Sequence, residues 1–163
     1  MNVLMTRIDE RLVHGQILAS WLRRLYIQSI LVIDDDLITD EFGKLVFSMA
    51  VPPGVSIEVC SVNEGCRRLL RENDGSPPNT LVLLRRVNCL MSLWRGGYRP
   101  EEVNIGCMNA GPARHQLSRD VYASREELQC LRELLQSGTQ VYLQTVYAEP
   151  RQDGAVLLRE FEP

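Results

Sequence analysis

Two spacings of apolar residues alternate along the chain. Nearly continuous apolar runs at residues 3–8, 30–33, 55–60, 80–84, 103–107 and 141–146 read as strands, several of them covered on both faces. Stretches with helical spacing lie between them. Residues 16–26 place Ile17, Leu18, Trp21, Leu22 and Leu25 on one stripe, with Arg23 and Arg24 off it. Phe42, Leu45, Val46 and Met49 also repeat at helical spacing. Asn63 reads as an N-cap ahead of Cys66, Leu69 and Leu70. Asn88 reads as the cap of a short helix through Leu90, Met91 and Trp94 that stops at Gly96 and Gly97. Ser124 and Glu127 form a capping box for a helix with Leu128, Leu131, Leu134 and Leu135 on its stripe and Gly138 as its stop. Turn residues at 52–54 and 74–79 separate helices from the strands that follow. Residues 117–122 fit an extra short strand, and residues 152–163 fit either a short helix or a loose tail. Strand–helix units of this kind predict an α/β fold over residues 1–163 as one domain, with a mostly parallel sheet and helices on both faces.

Composition narrows the function. The chain has 163 residues, a net charge of −3 and a pI near 5.5, which argues against a nucleic-acid partner. Residues 1–9 carry charge early and lack the apolar core of a signal peptide. No window is apolar enough to span a membrane. The cysteines, Cys60, Cys66, Cys89, Cys107 and Cys130, are odd in number and form no C-x-x-C pair. This fits small core residues in a cytoplasmic protein better than disulfides or a thiolate metal site. His14 and His115 are the only histidines, and Lys44 is the only lysine.

In a parallel sheet, ligands bind beyond the carboxyl ends of the strands. The first such loop is dense in chemistry: Arg7, Asp9, Glu10, Arg11, His14, Gly15 and Gln16. Its arginines offer forked donors matched to phosphate oxygens. A positive environment favours a neutral, nucleophilic imidazole. Asp9 can hold one ring proton of His14 or pair with an arginine. Gly15 permits close backbone approach. The set suits a histidine that accepts and donates a phosphoryl group. On these residues alone a structural Arg–Asp network is the more ordinary reading, and simple anion binding is also open. No dinucleotide fingerprint or P-loop is present.

The string Arg7-Ile8-Asp9-x-Arg11-Leu12-Val13-His14-Gly15-Gln16 resembles the N-terminal signature of IIB components of the mannose/fructose/sorbose class of the phosphoenolpyruvate-dependent sugar phosphotransferase system (PTS). The acidic turn Asp34-Asp35-Asp36, the acidic position Asp40, the turn at residues 50–55 and the stretch Val103-Asn104-Ile105-Gly106-Cys107-Met108 are similar to later motifs of that family. The resemblance implies a sheet of about seven strands. It implies that a IIA protein or domain phosphorylates His14, on Nδ1, and that His14 passes the group to a sugar held by membrane IIC and IID subunits. The chain would then be a protein-phosphohistidine–sugar phosphotransferase, peripheral to the membrane through IIC and IID, with a homodimer compatible with the assembled transporter. Asp9 and Arg11 are expected to act with His14, and Arg7, Arg11, Gly15 and Gln16 to bind the phosphoryl group. No cofactor or metal is implied.

Two positions depart from the family pattern. Cys107 replaces a glycine, and residues 111–114 replace a Gly-Lys pair, with Arg114 a candidate for the missing charge. Other readings remain: a IIB-like regulatory module that signals by phosphorylation without transport, or a hydrolase pairing a cysteine with His14. Asp34-Asp35-Asp36 fits a strand-end turn better than a Mg²⁺ site, with Thr39 or Asp40 capping the next helix. His115 reads as a surface residue, Trp21 and Trp94 as core, and Met108 as a loop residue able to meet a partner.

Overall fold

The structure is a computed structural model that describes residues 1–71, 75–159 and 161. The expected turn at 74–79 is therefore described from Gly75 onward, and the tail through Arg159 and at Phe161. Seven strands form one sheet: β1 (Asn2–Asp9), β2 (Ser29–Ile33), β3 (Ser56–Cys60), β4 (Asn79–Leu84), β5 (Glu102–Cys107), β8 (Gln140–Leu143) and β9 (Gln152–Asp153). Their order is β3-β2-β4-β1-β5-β8-β9. Every pairing is parallel except the last, where β9 runs antiparallel to β8. The continuous apolar runs follow from this arrangement, because alternate residues serve opposite faces. Leu81 and Leu83 of β4 join a cluster with Met5, Ile17, Trp21, Ile30 and Val32. Val82 and Leu84 join a larger one with Ile8, Leu31, Ile33, Val103, Ile105 and Val141.

The larger cluster is closed by α2 (Val62–Leu70), α3 (Val87–Arg95), α4 (Arg125–Gln136) and α5 (Gly154–Arg159). Ser124 and Glu127 cap α4 reciprocally, as the sequence predicts, and Gly138 ends it with φ 94°. Ser124→Ala is expected to cost about 1 kcal/mol, read as a lower urea midpoint with an unchanged slope. Two caps differ from expectation. Ser61, not Asn63, caps α2 by accepting from the Glu64 amide. Asn88 lies inside α3, whose N-cap is Arg86 with no side-chain bond. In both cases the helix starts earlier, because Val62 and Val87 pack on the core and fix its entry.

On the opposite face, residues 16–26 do not make the regular helix predicted. Ile17–Trp21 form a wide π-helical turn, and the Leu22 and Ile27 amides bond to carbonyls five residues back, at Ile17 and Leu22. Tyr26 then reverses the chain with φ 50°. α1 (Glu41–Ala50), capped by Asp40 at the Gly43 amide, also covers this face but has no buried residue. An apolar stripe ordinarily faces the core. In α1 it faces outward: Phe42 and Met49 are 76% and 77% exposed.

The extra strand expected at residues 117–122 is instead a hairpin of β6 (Arg114–Ser118) and β7 (Val121–Ser124), with Arg119 and Asp120 at its tip. Its tip is tied to the end of β5 through the Met108 amide, which donates to the Asp120 carbonyl. Among the described residues, no helix is long and apolar enough to cross a membrane.

Candidate phosphohistidine site

The strand order reverses at β1. The chain leaves β1 toward β2 and β3 on one side and later crosses to β5 on the other. That reversal opens a crevice at the carboxyl end of β1, where ligands sit in such sheets. The chain turns sharply there. The Leu12 amide donates to the Asp9 carbonyl (2.9 Å), and Leu12 takes φ 54° while its side chain is buried. A left-handed leucine costs about 1–2 kcal/mol, offset here by burial of the whole side chain. The reversal returns His14 to Asp9.

Asp9 is the hub. It is fully buried, and its Oδ2 accepts from Arg7 Nη2 (2.8 Å), Arg11 Nη2 (2.9 Å) and His14 Nε2 (3.2 Å). Its Oδ1 accepts from the Arg11 amide and Arg11 Nε. Burial alone would raise its pKa. The bonds from His14 and Arg11 and the charges of Arg7 and Arg11 outweigh that and hold the carboxyl well below the usual carboxylate range. With Nε2 on Asp9, a neutral His14 ring carries its lone pair on Nδ1. No described residue bonds to Nδ1, and the side chain is 18% exposed.

Arg7 corrects one expectation. The sequence suggests a phosphoryl ligand, yet the residue is fully buried. A guanidinium has five N–H donors, and all five are used. Nε and one Nη2 hydrogen go to Asp9, the other Nη2 hydrogen to the Thr145 carbonyl, and the two on Nη1 to Asn104 Oδ1 and the Gln144 carbonyl. The Trp21 ring lies 5.4 Å from the guanidinium, and its Nε1 donates to the Thr145 carbonyl as well. Arg7 is therefore a positioning residue that fixes Asp9, and it has no donor left for a phosphoryl group. Arg11 differs. Its side chain is 32% exposed and, among the described residues, leaves one hydrogen on each Nη free after bonding Asp9 and Gln16 Oε1. Gly15 and Gln16 are exposed beside it.

Four residues with roles here carried no individual reading in the sequence: Asn104, Gly106, Gln144 and Thr145. Asn104 pairs with Arg7 across the β1–β5 ladder. Gly106, two residues on, shares that face, and a Cβ there would overlap the Arg7 guanidinium. A polar and a small residue alternating inside an apolar strand is the signal that marks them.

Residues after β5 do come near the loop, as expected. Glu10 accepts from the Asn109 amide (2.9 Å) and pairs with Arg114 (2.7 Å). Arg114 also pairs with Glu127, so its charge is neutralised within the fold. Cys107 is buried near Arg11 and its thiol is pushed up by burial. His115 lies apart, exposed on β6 with its ring 5.9 Å from Phe161. Asp34 closes the strand-end turn by accepting from the Asp36 and Leu37 amides, and pairs with Arg85. Trp21 is core, whereas Trp94 is half-buried at the edge of the larger cluster. Burial pushes Cys60 up to about 11 and Cys89 to about 12, which disfavours either as a thiolate nucleophile.

The family model described as the PTS system sorbose subfamily IIB component matches residues 3–162. The sorbose-specific EIIB component of Klebsiella pneumoniae is 27% identical over 92% of this chain and 91% of that protein. The crystal structure of the IIBSor domain of the K. pneumoniae sorbose permease superposes with a TM-score of 0.91 at 26% identity, covering 99% of each chain. The mannose-specific EIIAB component of Escherichia coli K12 is 24% identical over 93% of this chain, which spans 46% of that relative.

Proposed function

Because this chain belongs to the sorbose subfamily of PTS IIB components, a family of sugar-transport phosphotransferases, we propose that it carries a phosphoryl group on Nδ1 of His14 between a IIA donor and a sugar. The observation that carries this reading is the Asp9–His14 bond at Nε2, which leaves Nδ1 as the nucleophile at an accessible face. In the first step the donor's phosphorus–nitrogen bond breaks as the bond to Nδ1 forms, while the Nε2 proton stays on its Asp9 hydrogen bond. The two spare Arg11 hydrogens stabilise the phosphoryl oxygens, and Gln16 orients Arg11. In the second step a sugar hydroxyl attacks phosphorus, Nδ1 leaves with its electron pair, and the hydroxyl proton is released. Gly15, with open space around it, lets the partner's backbone approach.

A IIA donor is supported by the relative whose name joins IIA and IIB. Membrane IIC and IID subunits as sugar-holding partners, a peripheral place at the membrane and residues 1–163 as one IIB domain belong to the same proposal. The test is uptake of labelled phosphoryl from a phosphorylated IIA protein. Wild type and His115→Ala are expected to take up acid-labile label to the same level, and His14→Ala none. Label retained by His14→Ala, or lost in His115→Ala alone, would overturn the assignment.

A further inference from the structure

A small cavity of about 150 Å³ lies at the carboxyl end of β8, between the β6–β7 hairpin tip and the loop that follows β8. Arg119 stands there between two carboxylates. It donates from Nε and Nη2 to Asp120 Oδ2 and from Nη2 to Glu149 Oε1. Gln144 and Thr145, each 8% exposed, line the cavity from the strand end. The Gln144 side-chain nitrogen donates to the Tyr147 and Glu149 carbonyls and holds the loop in place. Thr145 Oγ1 lies 3.1 Å from Asp120 Oδ2. Leu143 and Pro150 add apolar wall. The connection to His14 is direct. Arg7 Nη2 donates both to the Thr145 carbonyl and to Asp9 Oδ2, the oxygen that also meets His14 Nε2. Asp120 is close enough to Arg11 for their charges to act on each other.

Hydrogen-bonding capacity is left over in this cavity. Among the described residues, both Nη1 hydrogens of Arg119 are unused, and so are Asp120 Oδ1, Glu149 Oε2 and Gln144 Oε1. Gln144 is the telling case, because a side chain more than nine-tenths buried ordinarily has its acceptor satisfied. Two carboxylates against one guanidinium disfavour a phosphate, and the guanidinium between them disfavours a metal ion. A neutral ligand whose hydroxyls both donate and accept satisfies every unused group. The volume is below the about 300 Å³ at which pockets for drug-sized ligands begin, and it suits one unsubstituted sugar ring. We propose that the cavity is a hexose subsite, through which this chain holds part of the acceptor sugar beside His14. The proposal rests on the phosphoryl reading and adds to it the side chains that select the sugar: Arg119, Asp120, Gln144 and Glu149.

NMR titration of the nitrogen-15-labelled full chain with D-glucose, D-mannose, D-galactose and D-fructose, each up to about 50 mM, tests it. At least one hexose is expected to bind with a Kd of about 1–10 mM and to shift the Asp120, Gln144 and Thr145 amides, while glycerol shifts none. Arg119→Met and Glu149→Gln are each expected to weaken that binding at least about tenfold. Arg119 is 75% exposed and Glu149 partly so, and both variants are expected to fold and to take up phosphoryl label at His14 as the wild type does. The proposal is overturned if no hexose moves these amides, if the shifts lie elsewhere in the chain, if glycerol acts equally, or if both variants bind as the wild type does. It is also overturned if Arg119→Met loses label uptake together with the sugar, because Arg119 would then support the loop around His14 and not a ligand. A wild type that takes up label but binds no hexose refutes this inference alone. A wild type that binds hexose but takes up no label refutes the phosphoryl reading, and the acceptor role with it.

Discussion

Asp9→Asn is expected to lower stability by about 3–5 kcal/mol and the rate of phosphoryl uptake about a hundredfold or more. The stability loss comes from Arg7. Its guanidinium is fully buried, and among the described residues Asp9 is its only counter-charge in contact. An asparagine keeps the volume but removes the charge, and at one position it points N–H donors at arginine N–H donors. The loss in rate comes from His14, whose ring loses the carboxylate that fixes its Nε2 proton and hence its Nδ1 lone pair. For a domain of this size, the stability change corresponds to a fall of about 10 °C in melting temperature.

The pH dependence gives a second check on Asp9. Its folded pKa lies below the unfolded value, so its contribution is fully present above about pH 4 and is lost as pH falls through the folded value. The gap between wild type and Asp9→Asn should therefore narrow as the urea midpoint is followed from neutral pH into acid. A gap that stays constant with pH would show that the carboxylate charge is not the source of the stability.

Gly106→Ala is the second large effect expected, at about 3 kcal/mol and at least a tenfold slower phosphoryl uptake. The added methyl overlaps the Arg7 guanidinium. Arg7 has nowhere to go, because its five donors are bound from three strand ends and Trp21 lies over it. Either β5 separates from β1 or Arg7 releases Asp9, and both disturb His14. Gly111→Ala is the control. Its nearest neighbour would be Arg114 Cδ at 3.6 Å, an ordinary contact, so it should change little. Because both act through Arg7, Gly106→Ala should cost much less in an Arg7→Met background than in the wild type. Full additivity would mean that Gly106 matters for another reason.

The sheet and the phosphoryl loop are legible in the sequence because both are local. A run such as Leu81–Leu84, too short for a helix and preceded by turn residues, reads as a strand wetted on neither face. Asp9, Arg11 and His14 lie within one turn of chain, so their chemistry meets whatever the rest of the fold does. Arg7 is different. Its burial is decided by Asn104, Gln144 and Thr145, some 97–138 residues away, and nothing near it in sequence announces that. The turn at residues 16–26 misleads for another reason. Ile17, Trp21, Leu22 and Leu25 suit a 3.6-residue repeat, but the core they fill is reached by five-residue closures at Leu22 and Ile27. The stripe of α1 gives a helix correctly and says nothing of its direction, because periodicity alone does not show which neighbour a face will meet.

The ends of the sheet carry one more consequence. An unpaired strand edge is a template on which another chain can extend the sheet. β9 offers only two residues, both exposed, before α5 begins and Asp153 turns its carboxylate to the Ala155 amide. At the other end, β3 places Glu58 in mid-strand and ties it to Arg68 of α2. A copy adding a strand there would have to accommodate that ion pair. Aggregation by strand addition is thus discouraged at both edges, so the chain can be crowded without being recruited into fibres.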